Sequence, residues 1–249
     1  DGATAGALLK AFQIGAMPIH IDWIQQGPWA SPDEKGFGVA PLLTQQGLFV
    51  YGVAVDVRNG KRFMNEMADR KTRADAEYVI LREAPKAYPV AIGTYNTFEE
   101  QIYAAIEKGL QGGVMKKFDT IDALAANYKI PADALKATIA KYNEDAKNGV
   151  VDEFKKQSLG DMKGKECIEM KGPFYAIRLC PKPHHTMGGV KINTNTEVIN
   201  TKGEVIPGLY AAGEVTGGLH GNNRIGGNAV ADIVIFGRQA GNQSAAYVQ

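Results

Sequence analysis

The residues best suited to chemistry crowd into one stretch, 184–237. Three of the four histidines of the chain lie there, together with Arg224 and a run of glycine doublets. An arginine binds a carboxylate through two parallel, permanently charged hydrogen bonds, and a histidine beside it adds a third donor or acceptor. Glu214 follows the short apolar run Gly208-Leu-Tyr-Ala-Ala-Gly213. A carboxylate at the carboxyl end of a buried strand is placed to accept hydrogen bonds from ligand hydroxyls. Gly217 and Gly218 then let backbone approach a ligand closely, since glycine has no Cβ and tolerates positive φ. Taken singly, each feature also fits turn chemistry or a solvated surface. Their order along one segment points to a ligand cradle with a carboxylate clamp beside it.

The elements that must hold these groups are legible from periodicity. Residues 208–213 read as a buried strand, and an apolar-periodic run to about Ala246 reads as a helix with Asn228 as its N-cap. Such a helix aims free N–H groups and partial positive charge back at the glycine loop. That end, at Asn228 and Ala229, suits the electron-rich pyrimidine edge of a flavin. Earlier in the chain, 3–16 has helical spacing closed by Pro18, and 19–24 alternates like a strand that includes His20. Residues 49–57 read as a strand, Arg58-Asn-Gly-Lys61 as a hairpin turn, and 72–83 as a helix. A strand is expected at 88–94. A helix is expected at 97–108, with Thr97 as N-cap and Glu100 completing a capping box. Two more helices are expected from Thr120 and Pro131, the second stopped by Asn148-Gly149. Strands follow at 174–179, 190–193 and 197–199, the last closed by a turn at Asn200-Thr-Lys-Gly203.

Composition narrows the class. Of the 249 residues, 45% are hydrophobic and 22% charged, with a net charge of +1. That balance is ordinary for a globular protein and gives no reason to expect nucleic acid or an anionic membrane as partner. No apolar run reaches the ~18 residues that suggest a membrane span. Cys167 and Cys180 have no Cys-x-x-Cys-His or zinc spacing around them, so no haem attachment or metal ligand set is assigned. They read as two thiols or one disulfide. A G-x-G-x-x-G turn, which a flavin dinucleotide needs for its pyrophosphate, is absent.

The motifs HHTMGG, GLYAAGEVTGG, HG-x-NR-x-GGNA and FGR, all present between His184 and Arg238, resemble the flavoprotein family of fumarate reductases and succinate dehydrogenases. The resemblance is to the branch of soluble flavocytochrome c fumarate reductases and urocanate reductases, and it covers nearly the whole chain. It implies an FAD-binding, Rossmann-like domain of mixed α/β and α+β class, here its C-terminal part, with an inserted α+β capping domain. The expected boundaries are 1–24 and 173–249 for the FAD-binding domain and 25–172 for the cap. Asp1-Gly2 resembles the end of the family's first flavin-binding segment. The resemblance therefore implies a missing N-terminal flavoprotein segment, and FAD binding that requires it. A haem or other electron-donor domain, and a periplasmic rather than cytoplasmic location, are further implications.

The resemblance also assigns roles. His184 and Arg224 would bind the carboxylate of a small unsaturated carboxylic acid, with Thr44 and Trp29 as further substrate contacts. Arg70, counted from Asn65-Glu66, falls on the family's proton-donating arginine, and Arg73 is its rival if the register slips. Glu214, Gly217, Gly218, Asn228 and Ala229 would contact FAD. Carbonyls near Thr186 and Glu214 would hold a structural sodium, as in relatives. The implied reaction is FAD-dependent reduction of a C=C bond next to a carboxylate. A ketosteroid-type dehydrogenase and a non-catalytic fragment are the alternatives. Two departures stand out. Gly27 replaces a substrate-binding histidine before Pro28, which shifts the expectation from fumarate towards a monocarboxylate with a bulkier tail. Trp29 would face that tail or plug the domain junction. Gln45 replaces a glutamate of the proton route and the arginine expected shortly after it is missing; Tyr51 and Asp56 are the candidate substitutes.

Overall fold

The computed structural model describes residues 4–98, 102–157, 164 and 166–249. The chain divides into two compact units. One comprises residues 1–26 and 183–249, the other residues 27–182. The sequence placed the second crossing at 172/173, ten residues early. The reason is the strand at 174–178, whose neighbours on both sides belong to the inserted unit.

The first unit opens with α1 (Gly6–Gln13), β1 (Pro18–Ile19) and β2 (Ile24–Gly27). The strand expected at 19–24 is broken by a turn. His20 takes a left-handed φ of 50° and stacks on Trp23 with ring centroids 3.8 Å apart.

The inserted unit runs through α2 (Ala40–Leu43), a π-helical turn (Thr44–Leu48), α3 (Phe49–Tyr51), β3 (Val53–Asp56), β4 (Lys61–Arg62) and α4 (Arg70–Glu83). It continues through β5 (Val90–Thr94), α5 (Tyr103–Gln111), β6 (Met115–Phe118), α6 (Ile121–Tyr128), α7 (Ala132–Asn148) and β7 (Phe174–Arg178). Its sheet is antiparallel throughout, in the order β4-β3-β5-β7-β6. The three central strands read as unbroken apolar runs because both faces are covered. Val53, Val55, Val90, Ile92, Phe174 and Ala176 pack against α6 and α7 through Leu124, Leu135, Ile139 and Tyr142. The alternate residues Ala54, Ala91, Tyr175 and Ile177 join Leu43, Leu48, Phe49, Ile102 and Trp29 on the other face. The two-residue period of a strand thus sorts one apolar run into two cores.

Two expectations fail here, and one strand appears that was not expected. The strand expected at 49–57 starts only at Val53, because Gly52 ends the preceding helical turn. A Cβ at Gly52 would strike the carbonyl oxygens of Ile92 and Leu48, so only glycine allows the two segments to approach so closely. Thr97 does not cap α5. It ends a 3₁₀ turn, its hydroxyl donates to the Thr94 carbonyl at 2.7 Å, and α5 begins at Tyr103. Glu100 lies outside the described residues. β6 was not expected, since its central Lys116 and Lys117 are exposed and only Met115 is buried. The helices from Thr120 and Pro131 appear as α6 and α7. Thr120 Oγ1 accepts from the Ala123 N–H, and Gly149 closes α7 with φ of 64°.

The chain then returns to the first unit through β8 (Lys182–Thr186), which forms a two-stranded sheet with β2. β9 (Gly189–Val190) pairs with β1, β10 (Glu197–Ile199) with β11 (Val205–Tyr210), and α8 (Asn228–Tyr247) ends the chain. β11 was expected to be buried. Among the described strands it pairs only with β10, and its residues are exposed or half-buried. No described helix is long and apolar enough to cross a membrane.

Candidate active site

In the first unit, the short strand β8 sets two adjacent histidines on opposite faces, as strand geometry requires. His184 is half-buried, and its Nε2 lies 3.0 Å from Nη2 of Arg224. The guanidinium can only donate, so His184 accepts on Nε2 and, when neutral, carries its proton on Nδ1. Arg224 is 6% exposed. Its backbone is held by Gln25 of β2, whose amide donates to the Arg224 carbonyl at 2.8 Å and to Asn223 Oδ1 at 3.2 Å. Burial lowers the Arg224 pKa from its ordinary value, while Glu214 opposes the shift. The arginine thus sits where an incoming anion would recover the hydration it has lost.

His185 points the other way and is buried. Its Nδ1 lies 3.3 Å from Glu214 Oε2. Burial pushes its pKa down, Glu214 opposes, and Arg224 and His220 add to the lowering. The lowering favours the neutral ring, whose Nδ1 faces the carboxylate. His220 in turn lies 3.3 Å from Asp232 of α8, which is 4% exposed.

The residues expected to hold FAD can be tested for fit within this unit. Glu214 Oε1 accepts from the Thr186 N–H at 2.9 Å and from its hydroxyl at 3.2 Å. The Glu214 side chain is 51% exposed, so lone pairs remain for ligand hydroxyls. The N-terminus of α8 has no side-chain cap and no acidic residue in its first turn. Its N-cap is Gly227 with φ of 86°, not Asn228, which is the first helical residue. Glycine wins because that backbone conformation disfavours a side chain. The Asn228 N–H donates to the Ile225 carbonyl at 3.3 Å, which leaves the first-turn N–H of Ala229 to face a flavin carbonyl. A cavity of about 510 Å³ opens beside the glycine loop, lined by Ile19, Thr216, Gly217, Gly218, Leu219 and Phe236. Gly217 is glycine for a nearer reason than a ligand: a Cβ there would lie 2.6 Å from the Ile19 carbonyl and from the Gly189 nitrogen. It lets the loop lie against β1. Gly218 has φ of 94°. The donor set, the open helix start and the cavity fit a dinucleotide flavin.

In the inserted unit, Arg70 is the first residue of α4. Asp69 caps that helix, accepting from the Thr72 N–H at 3.0 Å and its hydroxyl at 2.5 Å. The Arg70 guanidinium lies 5.0 Å from the ring centroid of Trp29, and that of Arg73 lies 5.5 Å from the same ring. Trp29 is 7% exposed and belongs to the unit's core. Arg73 is also buried, with Nη1 donating to Gln45 Oε1 and to the Glu66 carbonyl, each at 2.9 Å. Burial pushes its pKa down to about 10. Thr44 opens the π-helical turn, fully buried, and its hydroxyl has no hydrogen-bond partner among the described residues. Such turns are frequent at functional sites, and an orphaned hydroxyl is a group that a ligand could satisfy.

The substituted position at Gly27 has a neighbour that the sequence did not reveal. A Cβ at Gly27 would lie 2.8 Å from Cε1 of Phe37 and 3.5 Å from Cε2 of Trp29. Aromatic carbon fills the space a side chain would use. Asp56 is engaged elsewhere: Arg58 Nη2 reaches its Oδ2 at 2.7 Å and Arg58 Nε lies 3.0 Å from both oxygens. Sequence reading also missed a buried charge cluster behind Arg73. Glu66 accepts from the Ala54 N–H, from Arg62 and from Lys156, and Arg62 also binds Asp152. Burial alone would raise the Glu66 pKa, but Lys156 and Arg62 overcome it and hold the group below the carboxylate range.

Comparison with known proteins matches residues 3–230 to the FAD binding domain family. The chain is 43% identical over 96% of its length to the acrylate reductase flavoprotein subunit of Shewanella woodyi, covering 46% of that protein. It is 41% identical over 96% of its length to a fumarate reductase (cytochrome) of Shewanella frigidimarina, covering 42% of it. Among solved structures, the open conformation of a flavocytochrome c3 fumarate reductase matches 98% of the chain at 33% identity with a TM-score of 0.68, over 40% of that protein. The chain thus spans less than half the length of these relatives. With FAD as the family's cofactor and a site whose residues suit it, this chain belongs to the FAD-binding flavoproteins of the fumarate reductase family.

Proposed function

We propose that the protein reduces the C=C bond of a small α,β-unsaturated carboxylic acid, with FAD as cofactor. The observation that carries this reading is the Arg224–His184 pair, a buried guanidinium with an imidazole 3.0 Å away in the unit that holds the flavin-contacting residues. Reduced flavin, when bound, supplies the hydride. Arg224 and His184 bind the substrate carboxylate and draw charge out of the double bond, so that the carbon next to the carboxylate accepts negative charge. Thr44 adds a hydrogen bond from its otherwise unpartnered hydroxyl. Arg70 delivers the proton to that carbon. A guanidinium is a weak acid, with an ordinary pKa above ~12, so it serves only when the carbon it protonates is a strong base and the lost proton is quickly replaced. Trp29 keeps Arg70 oriented through its ring face.

Gly27, Phe37 and Trp29 support a choice among substrates. A second carboxylate needs a cation or a donor, and this corner offers aromatic carbon instead. The reading therefore favours a monocarboxylate such as acrylate, or one with an apolar or aromatic tail, over fumarate. The acrylate reductase similarity supports that choice. The test is anaerobic oxidation of a reduced dye by flavin-loaded protein with acrylate, cinnamate, urocanate and fumarate. The expected result is a kcat/KM for a monocarboxylate at least ~10-fold above that for fumarate, as one well-placed charged hydrogen bond is worth about 1.5–3 kcal/mol. Turnover of none, with flavin bound and reducible, would reject the reading.

A further inference from the structure

Proton delivery through Arg70 needs a group that can lose and regain a proton, and the amide of Gln45 cannot. Helix α4 places a candidate on the same face. Arg70, Arg73 and Glu77 stand at i, i+3 and i+7, the spacing that lines up side chains on one side of a helix. Arg73 is 5% exposed and Glu77 is 0% exposed. Neither carboxyl oxygen of Glu77 has a hydrogen-bond partner among the described residues. A carboxylate buried without donors is heavily penalised, while the acid form carries no charge to desolvate.

We propose that Glu77 is the proton-holding residue of this protein, and that its acid proton recharges Arg70 by way of Arg73. The inference rests on Arg70 being the proton donor. Arg70 loses an N–H proton to the substrate carbon and becomes a neutral guanidine. Arg73 passes it a proton and takes one from the Glu77 O–H, and the Glu77 carboxylate is reprotonated from water. No electron changes place in these steps. The charges around Glu77 agree with that order. Burial raises its pKa well above the carboxylate range, against the pull of Arg73 on the same helix. Among the described residues, Tyr78, next along α4, and Cys180, beyond β7, also feel its charge. Arg73, lowered to about 10 by burial, is a better proton conductor than a solvated arginine.

Infrared spectroscopy of flavin-loaded protein labelled with ¹³C-glutamate tests the protonation state without any substitution. A protonated carboxyl band that shifts with the label at pH 7 is expected, and it should vanish in Glu77→Gln. Kinetics test the role. Glu77→Gln should lower kcat by ~10²-fold, the usual scale of general acid catalysis, with KM within ~2-fold. The fall of kcat at alkaline pH that the wild type shows as Glu77 ionises should be absent. A counter-ion with a purely structural role would leave that pH profile in place. No label-sensitive acid band, or a Glu77→Gln variant with wild-type kcat and pH profile, overturns the proposal. If Arg70→Ala is inactive while Glu77→Gln is not, only the role of Glu77 falls; if Arg70→Ala is fully active, the reading beneath it falls as well.

Discussion

Glu66→Gln is the substitution that best separates the inserted unit's scaffold from its chemistry. Glu66 is fully buried and accepts from the Ala54 N–H at 2.9 Å, Arg62 Nε at 2.9 Å and Arg62 Nη2 at 2.7 Å, with Lys156 Nζ at 3.2 Å. The amide removes the charge and turns donors towards two cations. Breaking a buried pair costs about 3–5 kcal/mol, chiefly because the remaining charge is left uncompensated. Arg62 keeps Asp152, and Lys156 keeps the Gly52 carbonyl at 2.6 Å, so the lower end, ~3 kcal/mol, is expected. For a protein of this size that is ~6–12 °C in Tm. The pH dependence has a definite sign. The Glu66 pKa is held below its unfolded value, so its stabilisation is present above the unfolded value of ~4.3 and is lost as pH falls through the lower folded value. The gap between wild type and variant should therefore be full at pH 7 and close in acid. Adding Lys156→Met should recover at least ~1 kcal/mol, because the uncompensated ammonium goes with it. Chemical denaturation of the flavin-loaded protein at pH 7 and at acid pH measures all of this. A loss below ~1 kcal/mol at pH 7, or a gap that widens in acid, would refute the argument.

Other substitutions probe the site more directly. Arg224→Lys keeps the charge but loses the planar fork that reaches His184, so KM for the enoate should rise ~10–100-fold in steady-state assays, as one to two charge-assisted hydrogen bonds are lost. Gly27→His alone should not create a fumarate reductase, because Phe37 stands 2.8 Å from the new Cβ; paired with Phe37→Ala it should raise kcat/KM for fumarate relative to acrylate, read from a two-substrate competition. Asp69→Ala removes the cap of α4 beneath Arg70 and should cost ~1 kcal/mol in denaturation, with a larger relative loss of kcat than of substrate affinity.

Much of the site was legible because its signals are local. Glycine doublets, a histidine pair and an arginine next to a helix start carry their chemistry in type and spacing, and the structure brings His184 to Arg224 and Glu214 to Thr186. The sequence was less informative where conformation depends on distant neighbours. Asn228 has the right chemistry for an N-cap, yet backbone strain put Gly227 there. The run at 49–57 holds strand-forming residues throughout, but the carbonyls of Ile92 and Leu48 fix the break at Gly52. β6 exists because β7 offers it an edge, not because Lys116 and Lys117 favour a strand. The unit boundary moved to 182/183 for the same reason, since the pairing of β7 with β5 and β6 is non-local. Gln45 looked like a broken relay, and only the structure shows Arg73 hydrogen-bonded to it with Glu77 one turn further on.

The central claim is that Arg224 with His184 binds an enoate carboxylate while Arg70 protonates the adjacent carbon. Its most direct test is pre-steady-state oxidation of the reduced flavin by acrylate, comparing wild type, Arg224→Ala and Arg70→Ala. The account predicts that the wild type is oxidised rapidly and saturably. Arg224→Ala should lose saturation, and Arg70→Ala should bind acrylate normally but slow by at least ~10²-fold, the scale of a missing general acid. Rapid, saturable oxidation in both variants would contradict it.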